Sequence, residues 1–195
     1  MTVRRMAAQV VKRGAVLCGA ALLSVFAGAP AEAAVIELKP ENTSCTTTIN
    51  SNLDAAGVLD IVDDCFGATG PLSLLYKAEV GGSDSGTFGP SYDTTFSNTA
   101  LDPQDATILY LGGSYMDCSA CYLVVKDGKQ TPAQYFFDIS SWNGTDTIQL
   151  TAFWPQQGAI SNVAIWGQAT GVPEPASLIL LGTGLGYVAI RRRRT

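Results

Sequence analysis

The residues whose types and spacing could do chemistry are aspartates and cysteines. Asp60, Asp63 and Asp64 stand close together, and Asp84, Asp102 and Asp105 lie in segments rich in turn residues. Grouped carboxylates can ligate Ca²⁺ through oxygen or, as a pair, supply the acid and the base or nucleophile of glycoside hydrolysis. The 60–64 spacing matches no EF-hand loop, and most other aspartates adjoin Gly, Ser or Pro, where turns favour them. No metal-ligand set or cofactor motif is read from the chain. It has no histidine, so Ser-His-Asp and Cys-His catalysis and His-ligated metals are excluded.

Cys45, Cys65, Cys118 and Cys121 follow the N-terminal segment, and an even number in an exported chain reads as disulfides. Three connectivities are open; the simplest joins Cys45 to Cys65 and Cys118 to Cys121. By loop entropy the longer loop would contribute about 3 kcal/mol and the shorter about 2 kcal/mol. Cys118-Ser119-Ala120-Cys121 also has the spacing of a redox pair. Such pairs sit at helix N-termini that lower the thiol pKa, whereas Tyr122-Leu123-Val124-Val125 reads as a strand. A four-cysteine zinc site is a further alternative, disfavoured by the long gap in the first pair and by export. Trp142, Trp154, Trp166 and Tyr135 could stack on sugar rings. Trp154 and Trp166 lie in strand alternation and read as core; Trp142, in a turn beside Asn143, is the candidate for exposure.

The elements that must position these residues are short strands. Leu72–Val80, Ala106–Leu111, Tyr122–Lys126, Ala133–Ile139, Thr147–Trp154 and Ile160–Trp166 are each closed by a turn signal. Asp127-Gly128 signals a hairpin, lengthened by Pro132, and Ala133–Ile139 sets Tyr135, Phe137 and Ile139 on one face. Residues 81–89 and 91–104 read as surface loops. The single helical pattern is Leu53–Val62. This predicts an all-β chain, a β-sandwich of jelly-roll or lectin-like type, flanked by an N-terminal signal helix and a C-terminal hydrophobic helix.

The two ends differ from the body. Arg4, Arg5, Lys12 and Arg13 precede an apolar run over 15–29 and the small-residue stretch Ala29-Pro30-Ala31-Glu32-Ala33-Ala34. This is a signal peptide over 1–33, cut after Ala33 or, as second choice, after Ala31. At the other end Val172-Pro173-Glu174-Pro175 leads into an uncharged stretch, 176–190, and then Arg191, Arg192, Arg193 and Arg194. As a helix that stretch is roughly 22 Å long, short for a hydrocarbon core of ~30 Å. The arginines hold its end in the cytoplasm.

Between the ends, over 34–171, the body keeps only Lys39, Lys77, Lys126 and Lys129 against fifteen acids, a formal charge of −11 where the whole chain has −5. It has no arginine. Such a surface argues against nucleic acid as a partner.

The order Pro-Glu-Pro, apolar segment, arginine cluster over 172–195 resembles the PEP-CTERM sorting signal of Gram-negative bacteria that make extracellular polysaccharide. Tyr122–Gly128, Trp142–Thr145 and Gly158–Ile165 are similar to the ectodomains of such proteins, with Asn162 where a histidine is common. The resemblance implies cleavage by exosortase near Pro173-Glu174-Pro175. The expected itinerary is Sec export, transient anchoring by the C-terminal helix, then the cell surface or extracellular matrix. Two functions follow as expectations: a non-enzymatic surface or matrix protein associated with extracellular polysaccharide, or a secreted glycoside hydrolase using paired aspartates.

Overall fold

Alternating apolar and polar residues commit the body to strands, and the sheets they form decide which face of each alternation is buried. The computed structural model describes residues 33–99, 102–155 and 158–172. Among them are β1 (Val35–Leu38), β2 (Thr46–Thr47), helix α1 (Ala55–Phe66), β3 (Ser73–Glu79), β4 (Tyr92–Ser97), β5 (Asp105–Tyr110), β6 (Tyr115–Lys126), β7 (Gln134–Asp138), β8 (Thr147–Leu150) and β9 (Asn162–Val172). The expected terminal helices lie outside the described residues.

Two sheets pack face to face: four strands in the order β1-β8-β5-β4, and five in the order β2-β7-β6-β9-β3. Neighbours run antiparallel except β1 and β8, which are parallel from Val35↔Thr147 to Leu38↔Leu150. The core between the sheets holds Tyr76, Tyr92, Ile108, Leu123, Val125, Phe137, Ile148, Phe153 and Val163. This is the all-β sandwich that the alternation predicts.

A second, smaller core covers the outer face of the five-stranded sheet and explains why β6 is apolar at consecutive positions. Leu123 and Val125 face the first core; Tyr122 and Val124 face the second, with Phe136, Leu72 and the helix residues Val58 and Val62. Asp54 caps α1 by accepting from the Gly57 N–H at 2.9 Å. Gly67, at φ 70°, ends it, its N–H donating to the Asp63 carbonyl. Val58 and Val62, one turn apart, are the helix residues buried on the sheet.

The strand expected from Tyr122 starts at Tyr115, and the helix expected to end at Val62 runs to Phe66. Three further expectations change. The segment 91–104 contains β4, which pairs with β5 from Tyr92↔Tyr110 to Ser97↔Asp105. The strand expected over Thr147–Trp154 stops at Leu150, because Ala152 and Trp154 adopt positive φ, 59° and 45°. The last strand does not stop at Gly167: β9 continues to Val172, opposite Tyr115 of β6.

Candidate functional site

The outer face of the five-stranded sheet is only partly covered by α1, and beside the helix lies a cleft of about 160 Å³. Its base is set by strand register. Gln134 of β7, Lys126 of β6 and Asn162 of β9 are directly paired, so they form one cross-strand row. All three are buried, at 2, 8 and 7 % exposure, in a face whose next row is Phe136, Val124 and Ala164. A polar row at that depth needs partners.

Gln134 has some: its Nε2 donates to the carbonyls of Ile49 at 2.7 Å and Ser51 at 3.1 Å, fixing the loop that carries the rim residue Asn52. Asn162 Nδ2 makes a long 3.4 Å bond to Ser161 Oγ. The Lys126 ammonium makes neither a hydrogen bond nor an ion pair with any described residue. Among the described residues no side-chain nitrogen or oxygen closed off from solvent lacks a partner, so Lys126 Nζ keeps contact with water. Lys77 also lines the cleft, paired with Glu79, and Trp166 and Leu53 add apolar surface. Two of the four lysines of a strongly acidic body thus meet at one small cleft. Nothing in the linear sequence marks it, because its residues come from four strands, α1 and the segment before it. Asn162 is one of them.

The carboxylates are not gathered with it. Asp60, Asp63 and Asp64 lie exposed along α1. Asp102 is exposed, and Asp105 accepts from the Ala152 N–H at 2.8 Å, a structural role at the end of β8. Asp84 stands apart: its Oδ2 accepts from the Tyr76 hydroxyl at 3.0 Å, and the same hydroxyl lies 2.7 Å from Thr94 Oγ1. Burial pushes the Asp84 carboxyl above its ordinary range and Asp93 adds to this, while the Tyr76 hydrogen bond opposes both. Among the described residues, no group of three Cys, Asp or Glu side chains is arranged to hold a metal ion.

Cys45 is joined to Cys65, tying the last turn of α1 to the segment before β2, and Cys118 is joined to Cys121. The second pair lies inside β6, where the register slips from Cys118↔Ala169 to Cys121↔Gly167: a bulge in a strand, not a helix terminus. Gly167 makes the bulge possible, since a Cβ there would stand 2.4 Å from the Ala120 carbonyl oxygen and 2.7 Å from Cys121 Sγ.

Trp142 is 4 % exposed, a correction to its reading as an exposed aromatic. Its Nε1 donates to the Asp146 carbonyl at 2.9 Å and its ring packs on Tyr92. Trp154 is core, donating to the Pro132 carbonyl at 2.8 Å. Trp166 is half-buried against the second core, and of the three tryptophans it is the one beside the cleft.

Of the processing residues, Ala33 is exposed and Val172 closes β9; Ala31, Pro173, Glu174, Pro175 and Arg191–Arg194 lie outside the described residues. No helix among the described residues is long and apolar enough to cross a membrane. Fold and ends together define an exported, disulfide-bonded β-sandwich with a sorting tail. Residues 171–194 match the family model of the PEP-CTERM protein-sorting motif. The chain is therefore a carrier of that motif, exported as an exosortase substrate and anchored through its C-terminal tail. No curated protein and no solved structure matches it.

Proposed function

We propose that this is a non-enzymatic component of the cell surface or extracellular matrix, associated with extracellular polysaccharide through a lectin-like sandwich. In this reading the Sec machinery exports the chain and exosortase removes the tail. The observation that carries the itinerary is the fit between expected cuts and strand ends. Ala34, the first residue after a cut at Ala33, already accepts from the Thr147 N–H at 2.9 Å, and β1 starts at the next residue. At the other end the motif begins at residue 171, inside the last two residues of β9. Trimming at both places would leave a sandwich with no tail to spare on either side.

Intact-mass analysis of the protein from its native host tests this. The expected chain starts at Ala34 and lacks everything from about Val172–Pro175 onward; a product retaining Arg191–Arg194 would make it a permanently tail-anchored protein instead.

One observation favours a second reading, a glycoside hydrolase. Asp84, its carboxyl raised by burial and in contact with Tyr76, and Asp93 nearby are two carboxylates of the kind such enzymes use. A reducing-sugar assay run beside a glycan-binding screen separates the two. Saccharide release abolished by Asp84→Asn would replace the binding reading with the hydrolase.

A further inference from the structure

We infer that the cleft on the outer face of the five-stranded sheet binds one carboxylate-bearing sugar ring, a hexuronate, through Lys126. The inference begins from an ammonium with no described protein partner. Lys126 is 8 % exposed and has no partner among the described residues, in a body with fifteen acids available to pair with it. Its ammonium keeps contact with water at the cleft, so an anion that displaced this water would meet a cation for which no described side chain competes.

The surroundings narrow the anion. On the same row, the Gln134 carboxamide oxygen has no partner among the described residues and stays solvent-accessible, an acceptor for a hydroxyl. Asn162, with one long hydrogen bond, is a second polar group of the right kind for a hydroxyl-rich ligand. Trp166, Leu53 and Val124 offer the apolar surface on which the C–H face of a pyranose can rest. The volume, about 160 Å³, is below the roughly 300–1,000 Å³ of sites that enclose drug-sized ligands, which limits the occupant to a single ring. A lysine ammonium is a point charge that meets carboxylate and phosphate oxygens alike, so the hydroxyl-accepting row and the pyranose-sized apolar surface beside it, rather than a planar fork, select an acidic sugar over inorganic phosphate. The body has no arginine.

The charge of −11 shapes the binding as well. Repulsion of an approaching uronate acts across solvent and is screened within about 10 Å at 0.1 M salt, whereas the pairing at buried Lys126 is screened much less. Binding therefore survives added salt, unlike capture of a polyanion on a basic surface.

This inference rests on the polysaccharide reading only for the class of sugar. The test is calorimetric titration of the processed protein with glucuronate, glucose and inorganic phosphate. Glucuronate is expected to bind at least tenfold more tightly than either. Lys126→Met should abolish that preference, and Lys129→Met, away from the cleft, should leave it intact. In the unaltered protein glucuronate should also protect Trp166 fluorescence from acrylamide quenching, a readout that stands even if Lys126→Met fails to fold. Equal binding of glucose, equal or tighter binding of phosphate, or no protection of Trp166 would overturn the site. Glucuronate binding without affinity for the host's polysaccharide would count against the matrix role and leave the site standing.

Discussion

The hydroxyl of Tyr92 ties the two sheets together at a point that no sequence pattern announces. It donates to the Gly144 carbonyl at 2.6 Å and accepts from the Met116 N–H at 3.0 Å, at a side chain 1 % exposed. Gly144 fits there because its φ is 78° and a Cβ would lie 2.0 Å from the Met116 carbonyl oxygen. Burial pushes the Tyr92 phenol up to about 12, while the Met116 amide acts in the opposite sense. An unfolded tyrosine ionises near 10, so the fold holds a proton that the unfolded chain has lost. Stability from this group is present below pH ~10 and falls as pH rises towards about 12. Denaturant unfolding between neutral and strongly alkaline pH should show that loss. Tyr92→Phe should weaken its alkaline slope, but only in part because Tyr76 is raised in the same direction. At neutral pH the same variant should cost about 1–3 kcal/mol, since it strands the Met116 N–H.

At the scale of elements, the two disulfides do different work. Cys45–Cys65 spans a separation of 20 residues and holds α1 against the sheet; Cys118–Cys121 spans 3 and lies within one strand. Replacing both members of the first pair by alanine should cost about 3 kcal/mol, and of the second about 2 kcal/mol. Thermal unfolding of the two variants checks the order. A second difference is sharper: loss of the first pair should loosen α1 and raise the exposure of the second core, seen as faster amide exchange at Val58 and Val62. Loss of the second should leave those amides unchanged.

The pairings within each cysteine set were the simplest reading of their spacing, but the bulge and the role of Gly167 were not readable. Both depend on β9 lying opposite, some fifty residues later in the chain. The strands with turn signals were legible for the same local reason that β8 was overread. Alternation identifies an extended stretch, whereas the positive φ of Ala152 and Trp154 is imposed by the tertiary bonds Ala152 N–H to Asp105 and Phe153 N–H to the Gln104 carbonyl.

Across the whole molecule, the first strand is an edge, parallel to β8, and its start is fastened by Asp146. The Ala34 nitrogen lies 3.0 Å from Asp146 Oδ1. A cut after Ala33 would turn that amide into an ammonium and the hydrogen bond into an ion pair. Asp146→Asn should therefore cost the processed protein up to about 1 kcal/mol, the range of an exposed pair, and added salt should narrow the difference. A chain begun at Glu32, after a cut at Ala31, should show no such salt effect, because its charge would stand two residues away; chemical unfolding of the two lengths at low and high salt measures this.

The sequence by itself determined the C-terminal sorting motif, the charge of the body and the all-β character. Each of these is carried by contiguous residues: an apolar run with its charged flank, a Pro-Glu-Pro with its arginines, an alternation with its turn. Only the tertiary structure decided which acids, aromatics and lysines meet. Trp142 turned inward because its indole N–H and ring found partners in Asp146 and Tyr92. Gln134, Lys126 and Asn162 became one row because register, a property of paired strands, sets neighbours across the sheet without regard to their distance along the chain.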